Sequence, residues 1–144
     1  MSSFVYIPFH LVLQMPAVIN KKVTQPIQCL AGSAFLKGYS TLEELEFNET
    51  QKDDDPNDPY YQWEIIGFMP GDSSTLIELM EDMEHVRHLV IVNDNLNQKR
   101  LVGYDAPLNF KSIFQSGNKP GQARGYKYTF SGLSPKRAPV YSLG

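Results

Sequence analysis

Apolar and polar residues alternate, or fall in short apolar runs bounded by turn residues, along most of this chain, which is the pattern of β-strands. Phe4-Val5-Tyr6-Ile7 and Phe9 to Leu13 are predicted to be extended, with Pro8 placing them at a sheet edge or a bulge because proline cannot donate to a central ladder. Pro16 to Pro26 reads as a loop. Ile27 to Gly38, with Leu42, Leu45 and Phe47, predicts a strand pair, with a short helix opened by a Thr41/Glu44 capping box as the alternative. Gln62 to Phe68, Leu89 to Val92, Arg100 to Gly103, Leu108 to Phe114 and Tyr126 to Phe130 are further strands. The turn residues Asn93 to Asn97 make a hairpin of the second and third of these, and Ser116 to Gly125 links the last two.

One segment breaks this rhythm with a three- and four-residue period. Leu76, Leu79, Met80 and Met83 share one face, Thr75 and Glu78 are spaced as a capping box, and Glu78, Glu81, Asp82 and Glu84 fill the remainder. A helix over about 74–86 follows, flanking a sheet, with His85, Arg87 and His88 near its C-terminal end, where positive charge suits the helix dipole. Asn48 to Asp58 contains no apolar residue, so a long acidic, solvated and mobile loop is predicted over about 48–60. Together these elements predict a mainly β (α+β) fold, an antiparallel β-sandwich or barrel with one flanking helix.

The 144 residues fit one domain, and 42% hydrophobic with 20% charged residues suffices for an ordinary core. Cys29 stands alone, which excludes an intrachain disulfide and a multi-cysteine zinc site. It is expected to be a small buried hydrophobe. Phe4 to Met15 is too short to span a bilayer and lacks the flanks of a signal peptide, so a cytoplasmic site of synthesis is expected.

Net charge is −3, yet residues 1–98 carry 5 basic and 15 acidic side chains while residues 99–144 carry 8 basic and 1 acidic. The acid is concentrated further: residues 41–84 hold 14 acidic side chains and one basic, Lys52. Such a segment repels itself unless spread over a surface or met by positive charge. Two arrangements meet it: pairing within one chain, or opposed patches on different faces that attract a second copy head to tail.

Candidate chemistry is sparse. Gly71-Asp72-Ser73-Ser74 and Asp82-Met83-Glu84-His85 have the look of a serine esterase's nucleophile and Asp-x-x-His motifs, but His85 lies roughly 15–18 Å along the helix from Ser73, too far to activate it. Capping is the structural role expected of Ser73. His85 and His88, three apart, lack further ligands for a metal and read as solvated helix-end residues. Asp53, Asp54, Asp55 and Asp58 lack the order and the glycine of a calcium loop. Tyr60, Tyr61 and Trp63 offer a stacking platform for a sugar or a base, although two of three on one strand are expected to enter the core. No cofactor is expected and no catalytic residue is assigned.

The C-terminal half carries a family resemblance. The order Leu89-Val-Ile-Val-Asn-Asp-Asn-Leu-Asn-Gln-Lys-Arg-Leu-Val-Gly103, Ala106-Pro-Leu-Asn-Phe-Lys-Ser-Ile-Phe-Gln-Ser-Gly117, Arg124-Gly-Tyr-Lys-Tyr-Thr-Phe-Ser-Gly132 and Ala138-Pro-Val-Tyr141 resembles small structural proteins of tailed bacteriophages, especially those of Bacteroides-type hosts, over roughly residues 60–144. The resemblance implies a non-enzymatic virion subunit, made in the host cytoplasm, that assembles into a tail-tube-like ring, commonly a hexamer. It contacts other tail or neck proteins, leaves DNA free to pass through the lumen, and involves no membrane. Distal-tail, tail-terminator and neck or connector rings are alternatives within that class. A monomeric β-rich module binding carbohydrate or another ligand through Tyr60, Tyr61 and Trp63 is the alternative outside it. Resemblance and charge division together make Asp53, Asp54, Asp55, Asp58, Lys111, Lys119, Arg124, Lys127 and Arg137 the candidate subunit-interface residues.

Overall fold

The computed structural model describes residues 3–41, 44–52, 57, 59–117 and 124–142. Among them the chain is mainly β, with one α-helix. The strands are β1 (Ser3–Pro8), β2 (Val12–Gln14), β3 (Lys22–Val23), β4 (Gln28–Cys29), β5 (Leu36–Lys37), β6 (Glu46–Lys52) and β7 (Tyr60–Pro70). After the helix α1 (Ser74–Glu84) come β8 (His88–Asn93), β9 (Lys99–Val102), β10 (Asn109–Gln115), β11 (Gly125–Ser134) and β12 (Val140–Tyr141).

Two sheets face each other. One has the order β3-β12-β9-β8-β1-β5 and the other β10-β11-β7-β6, all pairs antiparallel except β12 with β3. Alternation explains the core between them: Phe4 and Tyr6 of β1, Val90 and Val92 of β8, Trp63 and Ile65 of β7, and Tyr126, Tyr128 and Phe130 of β11 form one buried cluster. Each such large side chain, fully buried, stabilises the fold by about 1.5–3 kcal/mol. A backbone pair between His88 and Leu108, 2.9 and 2.8 Å, ties the two sheets together beside β10.

The continuous run Leu89-Val90-Ile91-Val92 has a different cause from half-burial. The odd positions point the other way, so that Leu89, Ile91, Ile7, Val23 and Leu101 form a second cluster on the far face of the six-stranded sheet. Val12, Met15, Val18, Ile27 and Phe35 cover it. Strands buried on both faces lose their polar alternation. The excursion over residues 9–35 is therefore a third layer, and it contains the small β2-β4 sheet.

Several expectations change. β1 lies inside its sheet, and Pro8 is tolerated because it is the strand's last residue, beyond the reach of β5, which pairs only with Val5 and Tyr6. Phe9–Leu11 is a 3-10 turn rather than strand, begun as Phe9 N–H donates to the Arg87 carbonyl. The loop at Pro16 to Pro26 contains β3, whose Val23 is fully buried. The strand pair expected of Ile27 to Gly38 with Leu45 and Phe47 is not what the described residues show: β4 pairs with β2, β5 with β1 and β6 with β7, while Leu42 lies outside the described residues and Glu44 N–H donates to the Thr41 carbonyl before β6.

The largest correction concerns the acidic loop. Asn48–Lys52 continues β6 and Tyr60 already belongs to β7, with Lys52 opposite Tyr60 in a regular ladder. A polar stretch can be a strand at a sheet edge, where one face meets solvent. Asp53, Asp54, Asp55 and Asp58 lie outside the described residues.

α1 fills the gap between the sheets on the side of β1 and β10. Met80 and Met83 are buried with Phe4, Tyr6 and Phe110, around a small hollow of about 80 Å³. Gly67 permits a close approach nearby: the Tyr128 hydroxyl lies over it, 2.4 Å from where a Cβ would stand, and donates to the Tyr39 carbonyl at 2.6 Å.

Candidate assembly surfaces

Charge meeting within the chain is concentrated on one residue. Glu49 points inward from β6, and its carboxylate is only 8% exposed. It accepts from Trp63 Nε1 at 2.9 Å, from Ala138 N–H at 2.7 Å, and from the guanidinium groups of Arg100 and Arg137, each at 3.0 Å. Burial raises the Glu49 pKa, but the Ala138 N–H, Arg137, Arg100 and Trp63 together outweigh it and hold the group below the usual carboxylate value. Arg100 also donates Nε–H to the Ala138 carbonyl at 2.7 Å, so the segment leading into β12 is stitched to both sheets.

Two of the candidate interface cations are thereby occupied. Arg137 pairs with Glu49 and stacks over the Tyr61 ring at 4.5 Å. Arg124 pairs with Asp72 at 2.6 Å and lies 5.5 Å from the Phe114 ring centroid, at the entry to β11. Intrachain pairing therefore accounts for Arg100, Arg124 and Arg137. Lys119 lies outside the described residues.

Lys111 and Lys127 are placed differently. They stand on the solvent face of adjacent strands, Lys111 opposite Thr129 and Lys127 opposite Ile113, and form no ion pair with another described residue. Ile113 and Leu133 share this face, 64% and 57% exposed. It is a lysine-bearing sheet surface with apolar residues between the charges.

Much of the remaining charge is grouped by sign, although Lys37 lies beside α1 and Glu46 and Glu64 lie on β6 and β7. α1 turns Glu78, Glu81, Asp82 and Glu84 to solvent, and none of them pairs with a cation among the described residues. At the edge formed by β3, β12 and β9 stand Lys21, Lys22, Lys99 and Lys136, likewise without ion pairs among the described residues. β6 closes that side through Glu49 and Arg100, whereas α1 closes the side of β1 and β10.

The other sequence candidates resolve as follows. Ser73 is the N-cap of α1, the role expected of it: its Oγ accepts the Leu76 N–H at 3.2 Å, two residues before the Thr75 of the expected capping box. Ser73→Ala is expected to cost about 1 kcal/mol of stability, read as a lower Tm by differential scanning calorimetry, since one helix N–H loses its partner. His85 is exposed at the C-cap, as expected of it.

His88 is not a solvated helix-end residue. It is the first residue of β8, 1% exposed, edge-on to Phe130 at 5.4 Å and Tyr6 at 5.8 Å, with its Nδ1 lacking a hydrogen-bond partner. Burial, reinforced by the charge of His10, lowers its pKa from 6.5 to about 4. The reason is periodicity: two-residue steps place His88 with Val90 and Val92 on the inward face.

The aromatic platform does not form. Trp63 is 1% exposed and spends its N–H on Glu49, while Tyr61 lies under Arg137. Cys29 is a free, half-buried thiol packed on the second cluster. Among the described residues no group of three His, Cys, Asp or Glu side chains is arranged to hold a metal, and no helix is long and apolar enough to cross a membrane. No protein-family model matches the chain, and neither a curated protein nor a solved structure does.

Proposed function

We propose that the chain is a non-enzymatic structural subunit of a tailed-phage virion that assembles head to tail with its own copies into a tail-tube-like ring, in the tube or at a distal-tail, terminator or neck position. The observation that supports this most is the placement of unpaired acid on α1 and unpaired lysine on the β3-β12-β9 edge, on different sides of one sandwich. A surface whose complement lies elsewhere on the same molecule favours a heterologous contact, and heterologous contacts close into rings or extend into stacks. Ile113 and Leu133, exposed between Lys111 and Lys127, supply apolar area for a second contact.

The test is assembly itself. Purified protein is expected to give rings or short tubes in negative stain and a mass several times that of the monomer by light scattering. Glu78→Lys, Glu81→Lys and Asp82→Lys combined should weaken association at least tenfold at low salt, and less at high salt, where exposed charges are screened. A protein that stays monomeric at high concentration, or assembles equally well after this reversal, overturns the reading.

A further inference from the structure

A cleft of about 270 Å³ opens beside the basic edge, built from three separated parts of the chain: Val18 to Lys21, Tyr104 with Asp105, and Lys136 to Pro139. Val18, Tyr104 and Pro139 give it an apolar wall. Val18 packs on the second cluster, and the Tyr104 hydroxyl donates to the Pro16 carbonyl at 2.8 Å, which holds that ring in place. Its charge is positive. Lys21, Lys136 and Arg137 converge on it, and the same three cations line an adjoining hollow of about 330 Å³ together with Arg100.

The carboxylates nearby reduce this charge without cancelling it. Glu49 serves Arg100 and Arg137. Asp105 accepts from Ser134 Oγ, at 2.8 Å to each oxygen, and forms no ion pair among the described residues. Lys21 and Lys136 form no ion pair among the described residues, and the three cations on the cleft wall outnumber its one carboxylate, Asp105.

The turn that carries Lys21 adds an independent observation. Asn20 and Lys21 both have left-handed backbone, φ 54° and 65°, in a two-residue turn closed by Ile19 and Lys22. Glycine is the residue normally found there, and lysine is strained. The turn is pinned as well, because the Val140 N–H donates to the Lys21 carbonyl at 2.9 Å. A lysine kept in a strained, anchored position at the mouth of a cationic cleft is the kind of outlier that marks a ligand site.

We infer that this cleft binds a small phosphate ester of nucleotide size. Lys21, Lys136 and the outer edge of Arg137 take the phosphate oxygens as charge-assisted hydrogen-bond donors. Val18, Pro139 and the Tyr104 ring cover the organic part, in the usual division of a ligand site between a few polar groups and an apolar wall.

The probes are adenosine 5′-diphosphate, inorganic pyrophosphate and adenosine, titrated calorimetrically into the Glu78→Lys/Glu81→Lys/Asp82→Lys protein, whose cleft is untouched. Self-association then does not compete, and failure of the assembly reading leaves this test intact. Adenosine 5′-diphosphate should bind more tightly than pyrophosphate, and adenosine should not bind measurably. Lys21→Gln with Lys136→Gln should weaken the diphosphate at least tenfold, whereas Lys111→Gln with Lys127→Gln leaves it unchanged. Lys21→Gly separates ligand from fold: it relieves the backbone and keeps or raises Tm while weakening binding. Absence of diphosphate binding, equal binding of adenosine, or equal loss in the Lys111/Lys127 variant overturns the inference.

Discussion

Glu49→Ala is expected to destabilise the protein by about 3–5 kcal/mol, because removing one member of a buried ion cluster leaves the others desolvated and unpaired. Four donors converge on this carboxylate: Trp63 Nε1, the Ala138 N–H, Arg100 and Arg137. Their losses are unequal. The Trp63 ring is 1% exposed and its N–H has no water to turn to, and the Arg100 side chain is 29% exposed, whereas Arg137 at 53% recovers much of its solvation. Glu49→Gln keeps an acceptor of the same shape and should cost less, about 1–2 kcal/mol. The sign with pH follows from the depressed carboxyl: the contribution is complete above the ordinary carboxylate value of 4.5 and is lost as pH falls through the lower folded value. Urea denaturation at pH 7 measures the effect, and hydrogen exchange should locate it. With Glu49 gone, the amides of Leu101 and Val140, bonded to the Pro139 and Lys21 carbonyls, should lose protection before those of β8. A cost below 1 kcal/mol for Glu49→Ala would mean that the four donors find solvent or other partners, and that the cluster does not hold β12 in place.

Glu49 also marks the limit of what the sequence discloses. Asn48 to Asp58 has no apolar residue, and a half-buried strand is recognised by its apolar alternate positions, so the end of β6 resembles loop. The inward position is filled by a carboxylate whose cationic partners lie 51 and 88 residues away, a distance no local pattern spans. The elements that were legible are those with local causes: α1 through its Met and Leu stripe, the β8-β9 hairpin through Asn93 to Asn97, and β7, β10 and β11 through alternation. Even there the ends moved, with β7 running from Tyr60 to Pro70 instead of Gln62 to Phe68, since pairing with β11 extends it. The third layer over residues 9–35 was legible only in part: β2 and β4 overlap the strands expected at Phe9 to Leu13 and Ile27 to Gly38, but their pairing with each other was not foreseen. Its two strands, β2 and β4, are three and two residues long and sit over the apolar face they cover. The charge division was visible as arithmetic, but its two destinations were not: part closes on Glu49 and Asp72 inside the chain, and part remains on α1 and the lysine edge.

Acidification from pH 7 to pH 4 is expected to remove about 3 kcal/mol of stability through His88 alone, with the loss falling between the ordinary value of 6.5 and the folded value of about 4. The unfolded chain takes up a proton as pH drops through 6.5, whereas the folded chain resists until about 4, so the unfolded state binds more protons throughout that window. Below about 4 the loss levels off. The resistance has a physical source: the imidazole lies among Tyr6, Phe110 and Phe130, where a charge has little solvation, and the neighbouring His10 adds a smaller electrostatic opposition. His88→Phe keeps a ring in the aromatic cluster and removes the titration. Its stability at pH 7 should be equal to the parent's or higher, because the Nδ1 that it deletes has no partner. Its stability should also stay flat between pH 6.5 and 4.5. Glu49 does not enter this window, since its contribution declines only below 4.5, so the two groups are distinguished by range: His88→Phe flattens the upper slope and Glu49→Gln the lower. An unaltered slope between pH 6.5 and 4.5 in His88→Phe would assign the acid response to another group and leave the buried imidazole a packing residue only.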